Sequence, residues 1–440
     1  MYVHSVILEN MKGFEHLKFD LARPDGSYAG WTVFTGDNGS GKSTLLKAIA
    51  IGLVGGDVAH SLQPDFRGWI HSSAKVPKAA IELEISLTLD DEHPYKSNPP
   101  ENRFPARLEF EERQKGMSIR SIRSTAPAGK PTKYQAPERT IWSNSMKGWF
   151  SCGYGPFRRV FGPSIEAAQI MYGSSTAKYA TLFQEGASLS QADKWIRELQ
   201  YKAIEDRFRH TPDAVQEQQI LDTLLKFLRD SFMPGLTLDR VDSDGVWLKD
   251  ADGILFAWGD MSDGYRSALA LLIDIFRNLV ETFGPEGLTE PDDQGKLRVV
   301  RSGVVLVDEI DAHLHPAWQR TIGFWLKEHF PNIQFLVTTH SPIICQAADP
   351  HGLFVLPEPG SGAVPHRLTD DEYNRVIASR PDTILTSDAF GLQNTRSHRA
   401  VKARAQLARL ASKQTAGGKL TPTEKAQRKE LSLFQTDEEL

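Results

Sequence analysis

One short stretch constrains the fold of this chain more than any other, a glycine-rich loop between an apolar run and a helical pattern. Val33 and Phe34 lead into GDNGSGKST, residues 36–44, and an apolar helical pattern follows from Leu45. This glycine spacing before Lys-Ser is that of a phosphate-binding loop. Its backbone N–H groups can converge on one anion, and the following helix adds the positive end of its dipole. The stretch therefore predicts binding of a nucleoside triphosphate.

Two side chains of this loop have a specific predicted task. Lys42 is expected to reach the outer phosphates, and Ser43 to offer its hydroxyl to Mg²⁺. The alternative is an ordinary Gly/Ser turn between a strand and a helix, which the complete strand–loop–helix motif disfavours. The predicted ATP-binding residues of the loop are Gly36, Asn38, Gly39, Ser40, Gly41, Lys42, Ser43 and Thr44.

Composition predicts a globular protein with a large core. The chain has 440 residues, of which 40% are hydrophobic and 24% charged, and its net charge is −5. This charge excludes a general attraction to nucleic acid, so any such binding needs a local patch. Two cysteines suggest no disulfide framework, and neither a signal peptide nor a membrane-spanning run is recognisable. We therefore expect a cytoplasmic protein without a membrane partner.

Polar residues follow two later apolar runs, Asp308 and Glu309 after the first and His340 after the second. Apolar runs separated by helical patterns predict neighbouring parallel strands. Hydrolysis of a phosphoanhydride needs a metal, a cation and an acid that orients water. We predict that Asp308 holds Mg²⁺ beside Ser43. Glu309 is the predicted general base and His340 the predicted sensor of the γ-phosphate, although a lone histidine at a strand end is usually structural.

A third motif, Ser262-Asp263-Gly264, opens a strongly apolar helix and presents a second helix end that can bind an anion. The chain already has one such cradle at Lys42. A second cradle, distant in sequence, is explained if it covers the γ-phosphate bound by another copy of the chain. Two copies facing head to tail would then form two composite ATP sites. The alternative is an ordinary N-cap serine on a core helix.

Together, GDNGSGKST, MSDGYRS, VVLVDEIDAHLHP and VTTHSP resemble the ABC-type ATPase head shared by SMC, Rad50, RecF and OLD-like proteins. The resemblance implies a Walker A loop, a signature loop, a Walker B strand with D-loop and a switch histidine. His315 stands where the D-loop usually has aspartate, and Gln63 is only a candidate for the metal-binding lid glutamine. Asp311, His313 and His315 as metal ligands are a less favoured alternative. The short signature disfavours an ABC transporter.

A closer resemblance covers most of the chain. GWFSCGYGPFRR, DGVWL, MSDGYRSALALL, DEIDAHLHPAWQRTIGFWLKEHFPNIQF, TTHSPIICQAAD and FGLQNTRS resemble the ATPase subunit of Septu-type antiphage systems (PtuA-like), which is also found in some retron operons. The resemblance implies a defence role, a separate HNH nuclease subunit and nucleic acid bound by the complex. The alternative is a RecF/Rad50-like repair ATPase that clamps DNA directly, through the basic tail or the segment 107–139.

The expected fold is α/β, an ABC-ATPase head with a mixed, largely parallel core sheet, an antiparallel β subdomain, a helical lateral subdomain and a C-terminal helical hairpin. Locally, residues 57–78 and 284–299 are predicted loops, and 152–159 is a predicted glycine-rich turn. The expected segments are 1–89 (first half of the head), 90–187 (β-rich insert and return to the core), 188–258 (helices and a hairpin), 259–394 (second half of the head) and 395–440 (basic helical tail).

Overall fold

We describe a computed structural model of the chain. It describes residues 1–74, 76–92, 103–113, 116–122, 137–143, 146–158, 174–209, 214–229, 233, 235–242 and 245–432, without the side chains of 174, 206–209, 214 and 215. Arg159 of the predicted turn and the acidic residues 437–439 lie outside this set. The contacts divide the chain into two units, residues 1–379 and 380–440.

A six-stranded sheet with five parallel strands forms the centre of the first unit. In spatial order its strands are β16 (His366–Arg367), β15 (Leu353–Leu356), β3 (Gly30–Gly36), β14 (Ile333–Thr338), β13 (Gly303–Val307) and β7 (Ser151–Tyr154). Every residue of the five parallel strands is buried, which explains their continuous apolar sequences. The predicted parallel core sheet is confirmed, but the turn predicted at 152–159 is wrong in its first part because β7 lies there.

A five-stranded antiparallel sheet forms a second layer. In spatial order its strands are β2 (Phe14–Asp20), β1 (Tyr2–Met11), β4 (Lys78–Ser86), β5 (Arg103–Arg113) and β6 (Gly116–Ile122). Helix α1 (Lys42–Val54) packs on strands of both sheets. A Cβ atom at Gly52 of this helix would lie 2.6 Å from Leu83 on β4, so helix and strand are in close contact. The predicted antiparallel subdomain is confirmed, and it fixes the helix that follows the phosphate loop.

Two long helices and a small sheet form the lateral part of the first unit. Helices α5 (Ser190–Arg209) and α6 (Ala214–Arg229) pack on each other, as the apolar periodicity predicted. The adjoining sheet has the order β10 (Leu255–Ala257), β9 (Gly245–Asp250) and β8 (Leu236–Asp242). Helix α5 also contacts α7 (Asp263–Phe283), whose residues from Ser267 to Leu279 are buried.

The other described elements of the first unit are short, apart from one long helix. They are α2 (Gly56–Leu62), α3 (Ser174–Ala177), α4 (Ala180–Phe183), α8 (Pro316–His329), α9 (Pro342–Cys345), α10 (Asp370–Ala378), 3₁₀ turns at Pro137–Arg139 and Trp258–Asp260, and the pair β11 (Thr289–Pro291) and β12 (Leu297–Val299). The loops predicted at 57–78 and 284–299 are therefore partly wrong. Helix α2 has only two buried residues, Ala59 and Leu62, too few to produce a periodic pattern.

The second unit contains α11 (Pro381–Leu385), α12 (His398–Thr415) and α13 (Pro422–Leu431). The last two helices pair as the predicted hairpin. Thr421 and Glu424 form a capping box at the start of α13. Among the described residues, no helix combines the length and the apolar character that crossing a membrane requires.

Candidate nucleotide-binding site

Three adjacent strands bring the predicted site residues to one edge of the core sheet. Strand β14 pairs in parallel with β3 on one side and with β13 on the other. Because parallel strands end at the same edge, the segments that follow them are neighbours there. The loop 36–44 follows β3, Asp308 and Glu309 follow β13, and His340 lies two residues beyond β14. Elements separated by more than two hundred residues of sequence thus form one site.

The phosphate loop depends on glycines at its crowded positions. Gly36, Gly39 and Gly41 have φ angles of 147°, 80° and 98°. A Cβ atom at Gly36 would lie 2.1 Å from the carbonyl oxygen of Leu356, and one at Gly41 would lie 2.4 Å from the ring of Phe14. Helix α1 has no side-chain cap and no acid in its first turn. Its first N–H groups are therefore suited to an anion.

Lys42 closes the loop from inside. Its Nζ donates to the carbonyl oxygens of Gly36 at 2.7 Å and Asp37 at 2.8 Å. Burial lowers the pKa of Lys42, and Asp308 followed by Glu309 opposes this by raising it. Lys42 therefore interacts electrostatically with both acids. This interaction connects the phosphate loop with the acids that follow β13.

The donor groups around the loop fit a magnesium–triphosphate complex. The hydroxyl of Ser40 is buried and has no hydrogen-bond partner in the described part of the chain. Ser43 and Thr44 are half-buried, whereas Asn38 is exposed. The Ser43 hydroxyl and the Asp308 carboxylate are the hard oxygen ligands that Mg²⁺ prefers, usually completed by phosphates and water.

Two threonines at the carboxyl end of β14 form hydrogen bonds with the acidic segment that follows β13. Thr338 Oγ1 donates to Asp308 Oδ1 at 2.6 Å and accepts from the N–H of Glu309 at 2.7 Å. Thr339 Oγ1 donates to Asp311 Oδ1 at 2.5 Å. Glu309 has a φ angle of 45°, a left-handed conformation that persists only where its surroundings hold it. The sequence prediction missed both threonines, although they stand directly before His340.

A buried arginine, Arg158, binds backbone carbonyl groups of the turn that follows β13, residues 308–312. Its side chain donates to the carbonyl oxygens of Gly155 (3.2 Å), Asp308 (3.0 Å), Glu309 (3.1 Å), Ile310 (3.3 Å) and Ala312 (3.2 Å). Burial lowers the pKa of Arg158 to about 10, and Asp311, Asp308 and Glu309 oppose that shift. The guanidinium therefore stays charged at neutral pH. Sequence reasoning gave Arg158 no role, because four of these five acceptors lie about 150 residues away.

The predicted signature residues lie at the start of α7. Ser262 occupies the N-cap position, yet its side chain makes no capping hydrogen bond. Ser262 and Asp263 are exposed, and Asp263 forms an ion pair with Arg266. A Cβ atom at Gly264 would lie 2.0 Å from the carbonyl oxygen of His313, so this helix end packs on the loop after the acids. No described hydrogen bond or ion pair joins Ser262 to the phosphate loop of the same chain.

The remaining predicted residues are not brought to the site by any described hydrogen bond. Gln63 ends α2 and donates its side-chain amide to the carbonyl oxygen of Asp65 at 2.9 Å. His315 caps α8, its Nδ1 accepting from the N–H of Ala317 at 3.2 Å. Among the described residues no group of three or more His, Cys, Asp or Glu side chains could hold a metal by itself, and so the alternative with His313 and His315 gains no support.

Comparison with known proteins adds three kinds of match. The family model AAA_21, described as "AAA domain, putative AbiEii toxin, Type IV TA system", matches residues 31–346. The "Retron Ec83 probable ATPase" of Escherichia coli is 27% identical over 414 residues, covering 80% of this chain and 71% of the relative. The "Septu protein PtuA" of Bacillus mycoides (strain KBAB4) is 24% identical, covering 90% of this chain and 45% of the relative.

Among solved structures, the "Crystal structure of the SmcHead bound to the C-winged helix domain of ScpA" matches with a TM-score of 0.46 and 17% identity, covering 84% of this chain and 99% of that one. The chain spans less than half the length of the PtuA relative and about seven tenths of the retron ATPase. The matches to the retron ATPase and to PtuA confirm the predicted relationship to Septu-type and retron ATPases.

Proposed function

The chain belongs to the AAA_21 family, and from that premise we propose that it hydrolyses ATP, between two copies of itself, to control a partner nuclease in antiphage defence. The observation that carries the hydrolytic part is the shared edge of β3, β14 and β13. There a glycine-rich phosphate loop, a buried lysine and two consecutive acids lie together. Few other protein groups are needed for phosphoryl transfer to water.

Each residue at this edge has a distinct proposed role. The backbone of residues 36–44 and Lys42 bind the phosphates, and Ser43 and Asp308 would hold Mg²⁺, which when bound neutralises charge on the phosphate oxygens. Glu309 accepts the proton of the attacking water. His340 contacts the γ-phosphate from the end of β14.

A second copy of the chain supplies the remaining part of each site. The exposed, uncapped start of α7 at Ser262 supports this proposal, because its N–H groups are free to meet an anion outside their own chain. In a head-to-tail pair, Ser262, Asp263 and Gly264 of one copy would cover the ATP held by the other. Gln63 stays a candidate ligand of the metal.

The defence role rests on the relatives. The matched proteins named Septu PtuA and retron ATPase support an ATPase of antiphage systems. A separate HNH nuclease subunit, and nucleic acid bound by the complex, follow from the resemblance to Septu-type systems. Sequencing the neighbouring genes, and co-expression with an HNH protein where one is encoded there, test the partnership: a stable complex supports it, and separate elution or the lack of such a gene contradicts it.

Direct DNA clamping through the segment 107–139 is less favoured. In its described part, Arg107 bonds to Glu9 and Glu82, and Arg113 bonds to Glu111. These guanidinium groups are already paired with carboxylates of the same chain. A salt-dependent shift of duplex DNA by the isolated protein would favour the clamp instead.

The test of hydrolysis is Glu309→Gln, which keeps the shape of the side chain and removes its basicity. We expect ATP binding to persist and the hydrolysis rate to fall by about 10²- to 10⁴-fold, since that is the usual contribution of a general base. ATP should also be trapped in a dimer visible by size-exclusion chromatography. Glu328→Gln, on the exposed face of α8, serves as the control. A wild-type rate in Glu309→Gln would remove Glu309 from the mechanism.

A further inference from the structure

The backbone of Glu309 is held on both sides in a conformation that non-glycine residues rarely adopt. Its φ angle is 45°. The N–H group donates to Thr338 Oγ1 at 2.7 Å, and the carbonyl oxygen accepts from Arg158 at 3.1 Å. A left-handed conformation is unfavourable for a non-glycine residue and persists only where neighbouring groups impose it. The direction of the Glu309 side chain therefore depends on these two backbone anchors.

The turn at residues 308–312 needs a side chain that can donate several hydrogen bonds at once, and arginine can do so. The carbonyl groups of residues 308–310 and 312 converge on one guanidinium, which is 3% exposed as part of Arg158. A planar guanidinium offers five N–H donors in a fixed fork, whereas a lysine ammonium is a compact point charge on a flexible stem. Lysine would keep the charge at this position but could not hold all the carbonyl oxygens at once.

Arg158 also connects this turn to helix α7, which begins with the predicted signature residues. Its own carbonyl oxygen accepts a hydrogen bond from Ser267 Oγ at 3.0 Å, and Ser267 lies in the second turn of α7. The close approach of Gly264 to His313 is a second contact between the same helix end and the same loop. One residue thus joins the backbone of the proposed base to the helix that begins beside Ser262.

We propose that Arg158 is a positioning residue for ATP hydrolysis, which fixes the backbone of Glu309 and ties it to the first turns of α7. The inference rests on the proposed function, since it takes Glu309 as the general base. Arg158 makes no described contact with the phosphate loop, so its loss should affect the chemical step and leave nucleotide binding intact.

The first test is Arg158→Lys. We expect kcat to fall by about 10- to 100-fold, because a displacement of a catalytic group by about 1 Å can cost 10²-fold. The KM for ATP should stay within about twofold of wild type, since Arg158 makes no described contact with the phosphate loop and reaches Asp308 through its backbone carbonyl, not through the carboxylate proposed to hold Mg²⁺. Arg277→Lys is the matched control: Arg277 is also buried, but it pairs with Asp274 and Glu281. It should keep wild-type kcat.

A double-mutant cycle separates positioning from general support of the fold. In the Glu309→Gln background, Arg158→Lys should cause no further loss of single-turnover hydrolysis, because the group it positions is already gone. An equal fold loss in both backgrounds, or a rise in KM that accounts for the whole defect, would overturn the proposal.

Ser267→Ala provides a second and milder test that remains available if Arg158→Lys does not fold. It removes only the hydroxyl bond to Arg158 and should lower kcat by about 3- to 10-fold at unchanged KM, a loss again absent in the Glu309→Gln background. Wild-type kcat in Ser267→Ala and in any folded Arg158→Lys protein would refute the role of Arg158. A wild-type protein without ATPase activity, or an active Glu309→Gln protein, would instead refute the proposed function.

Discussion

At the scale of single residues, the space available for a Cβ atom determines which positions of the phosphate loop must be glycine. Gly39 and Gly41 both have positive φ angles, 80° and 98°. The space around them differs. A Cβ atom at Gly39 would meet nothing closer than Pro359 at 3.6 Å, whereas one at Gly41 would lie 2.4 Å from the ring of Phe14. A substitution at either glycine therefore strains the backbone, but only a substitution at Gly41 also brings the new side chain into steric overlap with Phe14.

We expect Gly41→Ala to be more destabilising than Gly39→Ala. Both substitutions place a side chain in a left-handed conformation, at about 1–2 kcal/mol each. Gly41→Ala adds the overlap with Phe14, which by analogy with overpacked cores costs about 1–3 kcal/mol more. Urea unfolding of the two variants and the wild type measures the difference. Equal losses of unfolding free energy would show that Phe14 moves aside freely.

Residues whose chemistry is visible in a motif can be proposed from the sequence, whereas residues that act through backbone groups cannot. Lys42 and Asp308 stand in recognisable sequence patterns, and the structure brings them within electrostatic range of each other. Arg158 and Thr338 act on carbonyl and N–H groups distant along the chain. Such bonds depend on the backbone path and leave no pattern of side chains that a sequence could show.

At the scale of elements, the start of α7 differs from the other described helix starts that have serine or threonine at the N-cap, all of which form a capping hydrogen bond. Thr369 caps α10 through a complete capping box with Glu372. Ser262 occupies the same position on α7 but makes no capping hydrogen bond. A helix of 21 residues with a buried middle can tolerate an uncapped start, since tertiary packing supplies most of its stability. The uncapped N–H groups are then available for a ligand.

We expect Ser262→Ala to leave the free energy of unfolding unchanged within about 0.3 kcal/mol, because no capping bond is lost. Thr369→Ala, the matched variant with a formed cap, should cost about 1 kcal/mol. Urea denaturation without nucleotide compares the two proteins directly. A loss of similar size in Ser262→Ala would restore the simpler interpretation of an N-cap serine on a core helix.

The sequence prediction was wrong for an element whose glycines are required by a neighbouring element. Strand β7 contains Gly153 and ends just before Gly155, and glycines there resemble a turn. A Cβ atom at Gly153 would lie 2.7 Å from the ring of Tyr179, and one at Gly155 would lie 2.1 Å from the carbonyl oxygen of Thr181. The glycines thus allow α4 and the residues before it to approach the strand. Only the packing partner explains them, and it is not adjacent in sequence.

At the scale of the whole molecule, the head places half of a proposed ATP site on each of two surfaces. The carboxyl edge of β3, β14 and β13 holds the phosphate loop, the acids and His340. The exposed start of α7 holds the signature residues, and no described hydrogen bond or ion pair joins Ser262 to the phosphate loop of the same chain. This separation is what a head-to-tail dimer requires, since one interface of that kind generates two equivalent composite sites.

Subunit mixing tests this arrangement. Lys42→Ala disables the phosphate loop, and Ser262→Arg disables the opposite surface, so each variant alone should be inactive. In a mixed dimer one site combines both defects, while the other combines an intact loop with an intact signature. Equal amounts of the two variants, allowed to exchange before ATP is added, should recover about a quarter of wild-type ATPase activity, because about half of the dimers are mixed and each has one working site. Lys47→Ala, on the same helix as Lys42, is the control for a lysine outside the loop. Mixtures as inactive as their components, with exchange verified by differently tagged chains, would place both residues in sites built from a single chain.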